Sequence, residues 1–319
     1  MLRLGTRASA LAQWQAEWVA SRLRDQGVDV LLTPITTRGD RHAAPVASLG
    51  GEGVFTKEIQ HALLDGRIDL AVHSLKDLPT QPASDLCLAA VPERASPYDV
   101  LVTTHGESFA SLPQGARVGT GSLRRRAQLL HVRPDLNLCD IRGNVETRLK
   151  KLEQGQFDAL VLAEAGLRRL GLERHIAQTF SFDVVLPAVG QGALGLETRT
   201  DDAAARRAVA ALDHSPTHLA VLAERTMLAA LHGGCLAPIA GYATATSAGH
   251  FTLVGRVLSR DGVERLEAED STKAPSSGEH SRQNGLSPQS ITSAVELGRR
   301  VAAALLIQGA ERLIDACRT

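Results

Sequence analysis

The chain has 319 residues, enough for roughly two or three compact domains, because single hydrophobic cores stop growing well before that length. Lys plus Arg and Asp plus Glu both total 35, so the formal net charge is zero and no global field attracts nucleic acid or an anionic membrane. The sequence has neither a signal-like N-terminus nor an apolar run of membrane-spanning length, so we expect a cytoplasmic protein without nucleic-acid or membrane partners.

The first part of the chain alternates short apolar runs with amphipathic stretches, which is typical of βα units around a mostly parallel sheet. Ser9 is placed to cap a helix, and Gly27 suits the end of that helix. Residues 38–53 have no clear period and are predicted to form a loop. The predicted elements are a strand at Leu2–Thr6, a helix from Ser9 to Gly27, a strand at Val30–Thr36, a helix over about Thr56–Leu64 and a buried strand at Ile68–Ser74.

A second unit is predicted to begin where the chain crosses over near Pro92–Pro97. The glycine-rich segment Leu186–Thr198 then resumes an apolar strand pattern and is predicted to return to the first unit. Two α/β domains joined by a double crossover enclose a cleft, and in open α/β sheets ligands bind at the ends of the strands. The predicted strands of the second unit are Val100–Thr103, Val118–Thr120, Leu136–Ile141 and Ala159–Leu162.

From Ser215 onward a long helix through Leu231 precedes alternating strands, which is typical of a small α+β domain. Residues 271–288 are rich in Ser, Gly and Pro and are predicted to be a disordered insertion. The remaining predicted elements are strands at Ile239–Thr246, Phe251–Arg260 and Val263–Glu269 and a helix over about Ser293–Leu306. We therefore expect domain 1 at 1–92 plus 187–212, domain 2 at 93–186 and domain 3 at 213–319.

Consecutive arginines from Arg124 to Arg126 open a predicted helix. Cations are disfavoured at a helix N-terminus, where the macrodipole is already positive, so they predict an anion in front of this helix. Because planar guanidinium groups bind carboxylates or phosphates bidentately, a convergent set predicts a polyanionic ligand. The alternatives are a solvated basic turn, or salt bridges within the protein for any single arginine. The other arginines placed to line the cleft are Arg7, Arg142, Arg148 and Arg169.

The sequence from His73 to Asp77 puts an ammonium group and a carboxylate at the end of a buried strand. Asp77 is suited to act as a general acid or to stabilise a developing positive charge, and Lys76 would help to keep it ionised. The alternative for this pair is a turn with a salt bridge. We expect His73 itself to be packed in the core.

The four cysteines, Cys87, Cys139, Cys235 and Cys317, are scattered without a CxxC pair or metal-site spacing, so no metal site is predicted. Cys235 follows two glycines in a predicted loop between a helix and a strand. Such a loop would make the thiol accessible as a covalent attachment point, although an inert Cys235 remains the alternative from spacing alone. The other three are predicted to be small apolar structural residues.

Nine motifs follow one another along the chain: TRAS at Thr6–Ser9, TRGD at Thr37–Asp40, FTKE at Phe55–Glu58, AVHSLKDLPT at Ala71–Thr80, GTGSLRR at Gly119–Arg125, RGNVETRL at Arg142–Leu149, AGLRRLG at Ala165–Gly171, AVGQGALG at Ala188–Gly195 and HGGCLAPI at His232–Ile239. In identity, order and spacing they resemble those of the hydroxymethylbilane synthase (porphobilinogen deaminase) family. The resemblance covers nearly the whole chain.

The resemblance implies a transferase that deaminates four porphobilinogen molecules and joins them head to tail into hydroxymethylbilane, in tetrapyrrole biosynthesis. The reaction proceeds on a covalently bound dipyrromethane primer. The implied fold has three domains, of which the first two are similar to type II periplasmic binding proteins. The resemblance also implies a monomer whose product passes to uroporphyrinogen III synthase.

By the same resemblance, Asp77 is the catalytic carboxylate and Cys235 holds the dipyrromethane through a thioether. The other residues implied to bind the cofactor are Ser74, Lys76, Thr120, Ser122, Arg124, Arg125 and Arg142. Those implied to bind substrate are Arg7, Ser9, Gln15, Phe55, Arg142, Arg148, Arg169 and Gln191. The chain departs from the family pattern at Ser48 and Glu52, where several members have lysines, and at Gly121 and His232.

Two other functions share parts of this pattern. A type II binding protein for anionic solutes has the same cleft and anion-binding helix ends, but it needs neither the third domain nor an accessible Cys235. A cysteine hydrolase needs a base and a group that orients it, and His232 is near Cys235 in sequence. The intact mass under denaturing conditions separates a binding protein from the expected enzyme, because the binding protein matches its sequence mass.

Overall fold

The structure, a computed structural model, describes residues 1–36, 56–81, 83–232, 237–245, 250–273 and 286–317. Three β-sheets organise the described residues, two with five strands and one with three. Each sheet and its helices are called here the first, second and third unit, in the order in which the chain enters them.

The elements alternate along the chain as follows. The chain begins with β1 (Leu2–Thr6), α1 (Ala10–Arg24), β2 (Val30–Pro34), α2 (Lys57–Leu64), β3 (Leu70–Ser74) and β4 (Leu86–Ala90). It continues with β5 (Asp99–Thr103), β6 (Arg117–Gly119), α3 (Leu123–Val132), β7 (Asn137–Cys139), α4 (Val145–Glu153), β8 (Ala159–Ala163), α5 (Glu164–Arg169) and β9 (Ile176–Thr179). It ends with β10 (Leu194–Arg199), α6 (Ala203–Ala210), α7 (Ser215–Ala230), β11 (Ile239–Ala245), β12 (His250–Leu258), β13 (Arg265–Lys273), α8 (Pro288–Ile307) and α9 (Ala310–Asp315).

The two five-stranded sheets have the same construction. Their strand orders are β2-β1-β3-β10-β4 and β7-β6-β8-β5-β9. In the first sheet β1 pairs in parallel with β2 and β3, and β10 pairs antiparallel with β3 and β4. In the second sheet β6 pairs in parallel with β7 and β8, and β5 pairs antiparallel with β8 and β9. Each antiparallel strand, β5 or β10, follows a crossover between the sheets, and this topology confirms the predicted pair of type II α/β units.

The first helix illustrates how local sequence determines an element. Ser9 has extended backbone angles and accepts a hydrogen bond from the amide of Ala12, as expected of an N-cap. Val19 and Leu23 are fully buried against the first sheet, where they join the core that contains Leu4. Burying such a side chain contributes roughly 1.5–3 kcal/mol, so packing on the sheet stabilises this helix.

Several elements differ from the sequence prediction. The second strand ends at Pro34, and the strand expected at Leu136–Ile141 is only Asn137–Cys139. The strand Ile176–Thr179 was not predicted, because it lies at the edge of the second sheet and its partly exposed residues lack a continuous apolar pattern. The short helices Ala203–Ala210 and Ala310–Asp315 were not predicted either.

The third unit packs α7 and α8 on the antiparallel sheet β11-β12-β13. Met227, Leu253, Val301 and Leu305 are fully buried between these layers. This arrangement confirms a small α+β unit at the C-terminal end of the chain.

The predicted disordered insertion at 271–288 needs correction at both ends. Ser271 to Lys273 belong to β13, and Ser287 caps α8 by accepting from the amide of Ser290 at 3.1 Å. The prediction for 274–285 lies outside the described residues. In the ranges that the structure does describe, no helix has the length and apolarity needed to cross a membrane.

Candidate active site

The turn after β3 presents the two charged residues that the sequence singles out. Leu75–Asp77 forms one 3₁₀ turn, held by the buried Leu75. Lys76 is half-buried and its Nζ donates to Gln191 Oε1 at 3.2 Å, whereas Asp77 is exposed. Within the described residues the alternative of a Lys76–Asp77 salt bridge is not observed, so the Asp77 carboxylate is available at the surface of the cleft.

A cavity of about 80 Å³ lies beside this turn, between β3 and the N-terminal end of α1. Gln15 Nε2 donates to Ser74 Oγ at 2.8 Å along one wall. Gln15 is buried, so its amide holds the Ser74 hydroxyl in place. The predicted site residues that line this cavity are Arg7, Ser9, Gln15, Ser74 and Asp77.

The helix α3 begins after Ser122, whose Oγ accepts from the amide of Arg125. Ser122 N in turn donates to Thr120 Oγ1 at 3.3 Å. These two hydroxyl groups therefore determine where the helix starts and how its arginines enter the protein.

The anion that the arginines of α3 predicted is a carboxylate of the protein itself. Asp99, at the start of β5, is fully buried, and its oxygens lie 2.8 Å from Arg124 Nη1 and 2.7 Å from Arg125 Nη2. Burial raises the pKa of Asp99, but the two guanidinium groups outweigh burial and lower it to about 2. Arg126 is only partly buried and faces Asp140. The N-terminal turn of α3 is therefore not a solvated basic turn. The guanidinium group of Arg124 is buried and is not open to the cleft.

Arg124 and Arg125 are bonded to protein groups on several sides. Arg124 Nη1 also donates to the carbonyl oxygen of Leu186 at 2.7 Å, and Arg125 Nη1 donates to that of Val161 at 2.9 Å. Arg125 nevertheless lies close enough to Lys76 and Arg148 to lower the pKa of both. Arg125 therefore lies at the boundary between the core of the second unit and the cleft.

Gln191 joins the two α/β units. Its Oε1 accepts from Lys76 Nζ, while its Nε2 donates to Asp99 Oδ1 at 3.0 Å and to the carbonyl oxygen of Pro97 at 2.8 Å. The side chain is fully buried, so the structure places this predicted substrate-binding residue behind the cleft surface. Its observed contacts orient Lys76 and Asp99.

The crossover segments themselves touch at Gly192. Gly192 has φ +87°, and a Cβ there would lie 2.6 Å from the carbonyl oxygens of Ala95 and Ser96. Arg169 Nη2 donates to the Gly192 carbonyl oxygen at 2.8 Å. A side chain at position 192 would therefore separate the two crossovers and displace Arg169.

Lys76 has an unusual proton affinity. Burial, and after it the charge of Arg125, lowers the pKa of Lys76 to about 8, although Asp77 and Asp99 oppose this shift. An ammonium group that has lost part of its solvation binds a carboxylate readily, because that carboxylate replaces the missing water.

Two further arginines on the second unit share this lack of solvation. Burial lowers the pKa of Arg148 to about 10, with added repulsion from Arg125 and Arg142, and burial alone lowers that of Arg169 to about 10. Arg148 Nε donates to the Gly143 carbonyl oxygen at 2.9 Å. Across the described ranges of the chain, no carboxylate forms an ion pair with Arg142, Arg148 or Arg169. This surplus of positive charge fits a ligand with several carboxylates.

Trp14 lies beside the candidate site, although the sequence analysis did not single it out. It is 38% exposed, and its ring lies 5.9 Å from the guanidinium carbon of Arg169. A cation–π contact of this kind links α1 of the first unit with α5 of the second.

The other residues that the sequence singled out are buried or half-buried, or lie outside the described ranges. His73 is buried as expected, and its Nε2 lies 3.0 Å from Glu197 Oε2. The cysteines at 87, 139 and 317 are half-buried free thiols. Phe55 and Cys235 lie outside the described residues, as do Ser48 and Glu52.

The residue that sequence analysis missed altogether is Asp99. One signal was available: a carboxylate opens the apolar strand DVLVT, where a buried charge requires a cationic partner. The partners lie 25 and 26 residues further along the chain, and sequence spacing does not identify them.

Comparison with known proteins covers the chain almost from end to end. The family model "Porphobilinogen deaminase, dipyromethane cofactor binding domain" matches residues 2–207, and "Porphobilinogen deaminase, C-terminal domain" matches residues 218–307. A porphobilinogen deaminase of Syntrophotalea carbinolica is 48% identical over 318 residues, which are 99% of this chain and 95% of the relative. One of Nitratidesulfovibrio vulgaris is 46% identical over 316 residues, covering 98% and 96% of the two chains.

Among solved structures, a periplasmic substrate-binding protein of an ABC transporter from Coxiella burnetii is similar over 70% of this chain and 95% of its own, with a TM-score of 0.44 and 17% identity. The two family models and the near full-length relatives, by contrast, agree on one family. The chain belongs to the porphobilinogen deaminase family.

Proposed function

We propose that this chain deaminates porphobilinogen and joins four such units head to tail into hydroxymethylbilane, on a dipyrromethane primer, with Asp77 as the catalytic carboxylate. The observation that supports this assignment most strongly is the charge pattern of the cleft. The exposed carboxylate of Asp77 lies near enough to Lys76 and Arg148 to affect the pKa of both, and burial lowers the pKa of each of these cations. A substrate with two carboxylates and a leaving amine matches both halves of this pattern.

Arg142, Arg148 and Arg169, which form no ion pair with a carboxylate in the described part of the chain, would hold the acetate and propionate groups from the second unit. Arg7 and Ser9 line the cavity on the first unit and would bind these groups from that side. Guanidinium groups bind carboxylates bidentately, so this set would align the substrate ring as well as attract it. Phe55 keeps its proposed substrate contact as a prediction, because it lies outside the described residues.

The proposed chemical role of Asp77 follows from its position on a turn beside the residues that are proposed to bind the substrate carboxylates. When the aminomethyl C–N bond of porphobilinogen breaks, ammonia leaves and positive charge develops on the pyrrole ring. A carboxylate held near the ring nitrogen stabilises this charge, and it can accept the proton that is lost once the new C–C bond has formed. Gln191 orients the neighbouring Lys76.

The primer site is proposed from the same surplus of charge. When bound, dipyrromethane supplies the free pyrrole α-carbon to which each new unit is added. Lys76, Arg125 and Arg142 would hold its carboxylates, with Ser74, Thr120 and Ser122 as supporting contacts. Arg124 would act indirectly, because its guanidinium binds Asp99 and thereby fixes Arg125. We propose Cys235, which lies outside the described residues, as the attachment point, since it alone among the cysteines follows two glycines.

Intact mass spectrometry of the purified protein under denaturing conditions tests this function directly. The expected result is a mass above that of the sequence by two linked pyrrole units, together with release of ammonia and of a linear tetrapyrrole on mixing with porphobilinogen. A protein of unmodified mass that binds an organic anion without turnover would instead be a solute-binding protein.

We further propose that the protein acts as a cytoplasmic monomer and that its product is used by uroporphyrinogen III synthase. Light scattering after size-exclusion chromatography would test the monomer. A coupled assay with the synthase would test the transfer of product, by the appearance of cyclic uroporphyrinogen.

A further inference from the structure

The third unit contacts α3, called here the arginine helix because Arg124, Arg125 and Arg126 lie in its first turn, at two points. The first is the turn between β12 and β13. Its Gly262 has φ +78°, and a Cβ there would overlap the carbonyl oxygen of Ala127 on α3. The Gly262 carbonyl oxygen also lies 2.8 Å from His131 Nδ1. The turn therefore lies directly on the backbone of the helix.

The second point is a buried polar network centred on Gln128. Arg256 Nη1, from β12 in the third unit, donates to Gln128 Oε1 at 2.7 Å. The same oxygen accepts from the amide of Leu186 at 2.9 Å, and Gln128 Nε2 donates to the Leu186 carbonyl oxygen at 3.0 Å. Leu186 lies in the segment that leads from the second unit back to the first, so one glutamine ties the helix, the crossover and the third unit together.

This network extends directly to the ion pairs behind the cleft. The Leu186 carbonyl oxygen also accepts from Arg124 Nη1 at 2.7 Å, and Arg124 shares Asp99 with Arg125. A shift of Gln128 therefore changes the position of Leu186 and Arg124, and through Asp99 it changes the position of Arg125.

Arg256 is an unexpected residue at this place. It is only 2% exposed, and its pKa is lowered by burial although Glu267 opposes the shift. Burying a cation costs free energy unless its partners compensate, and apolar residues often stabilise such a position better. Within its own sheet Arg256 needs only Glu267, its cross-strand neighbour. Two bonds of Arg256 cross between units: the bond to Gln128 and a longer one, 3.4 Å, from Nη1 to the carbonyl oxygen of Asp183.

We propose that Arg256 is a positioning residue that couples the third unit to the arginine helix and so fixes Arg125 relative to the primer. The proposal rests on the function proposed above, because it assigns α3 to the primer site. Arg256 itself touches neither substrate nor primer. It acts by holding α3 and the crossover segment around Leu186 in a fixed relative position.

The test compares Arg256→Met with Glu267→Gln in the full-length holoenzyme. Methionine fills most of the arginine volume and removes the bond to Gln128, whereas Glu267→Gln weakens the pair inside the third unit and leaves that bond intact. A misplacement near 1 Å can cost up to about 10² in rate, so we expect kcat of Arg256→Met to fall roughly tenfold or more. KM for porphobilinogen should stay within about twofold, because substrate contacts lie in the first and second units. Glu267→Gln should keep kcat within about twofold.

Two more variants keep the test decisive if Arg256→Met folds poorly. Gly262→Ala forces the turn away from Ala127 without removing any charge, and it should lower kcat in the same way with KM unchanged. Combining Arg256→Met with Gln128→Leu should cost no more than Gln128→Leu alone, because both remove one interaction. Unchanged kcat in Arg256→Met and in Gly262→Ala overturns the proposal, and so does an equal loss in Glu267→Gln.

Amide hydrogen exchange tests the coupling between the third unit and α3 independently of the proposed catalytic function. Amides of residues 123–132 should exchange faster in Arg256→Met than in Glu267→Gln, whatever reaction the protein catalyses. Equal exchange in the two variants contradicts the coupling itself. A wild-type protein without the covalent mass excess or turnover contradicts the proposed function instead.

Discussion

Replacing Asp99 with asparagine should destabilise the second unit strongly. The carboxylate is fully buried between Arg124 and Arg125 and accepts a third bond from Gln191. Asparagine keeps the volume but leaves two buried guanidinium groups without a counterion. Removing one partner of a buried ion pair typically costs about 3–5 kcal/mol, and we expect a loss of that order in the free energy of unfolding at neutral pH.

The pH dependence of this effect has a definite sign. Because the pKa of Asp99 in the folded protein is about 2, below its ordinary value of 3.8, the unfolded chain takes up the proton first as the pH falls. The stabilisation by the charged form is therefore complete above about pH 4 and is lost as the pH falls through about 2. This shift corresponds to about 2 kcal/mol.

Urea unfolding followed by circular dichroism measures both effects. Asp158→Asn is the matched control, since Asp158 also pairs with an arginine, Arg117 Nη2 at 2.8 Å, but at the surface. Exposed pairs contribute about 0–1 kcal/mol, so this variant should stay close to wild type. The reasoning is refuted if Asp99→Asn loses less than about 1 kcal/mol, or if the two variants lose equal amounts.

Three further predictions concern the site and its surroundings. Asp77→Asn should keep the primer but lower the rate of each addition by about 10²–10³, measured by single-turnover mixing and denaturing mass analysis, and elongation at the wild-type rate would make Asp77 a structural turn residue. Cys235→Ala should fold yet show no covalent mass excess; retention of the excess would place the attachment elsewhere. Deleting 274–285 with a short Gly/Ser linker should keep most of the activity, because the neighbouring β13 and the cap of α8 remain intact. Loss of folding would show that the deleted segment contributes to the core.

The sequence predicted several elements whose apolar pattern is continuous, although it missed the strand Leu86–Ala90. The strand Leu2–Thr6 and the helix after Ser9 were predicted this way, because local propensity, capping and burial agree there. The strand Ile176–Thr179 lies at a sheet edge with partly exposed residues, so the same pattern is absent.

The candidate site was only partly predictable for a different reason. A cluster of arginines is visible in the sequence, but which of them faces the ligand depends on where the counterions lie. Asp99 on β5 forms ion pairs with Arg124 and Arg125 of α3. Trp14 of α1 contacts Arg169 of α5. Both are contacts between elements whose relative position is set by the fold. Spacing along the chain therefore identified the charges but not their partners.

The arrangement of the crossovers links cleft opening to the third unit. Arg94 donates from Nη1 to the fully buried Glu224 of α7 at 2.6 Å, and from Nε to the carbonyl oxygen of Gln191 at 2.8 Å. The side chain of that same Gln191 joins Lys76 to Asp99. Separating the first and second units therefore breaks either the bond from Lys76 to Gln191 or the bond from Gln191 to Asp99. Each of these bonds involves a charged group and is worth roughly 1.5–3 kcal/mol.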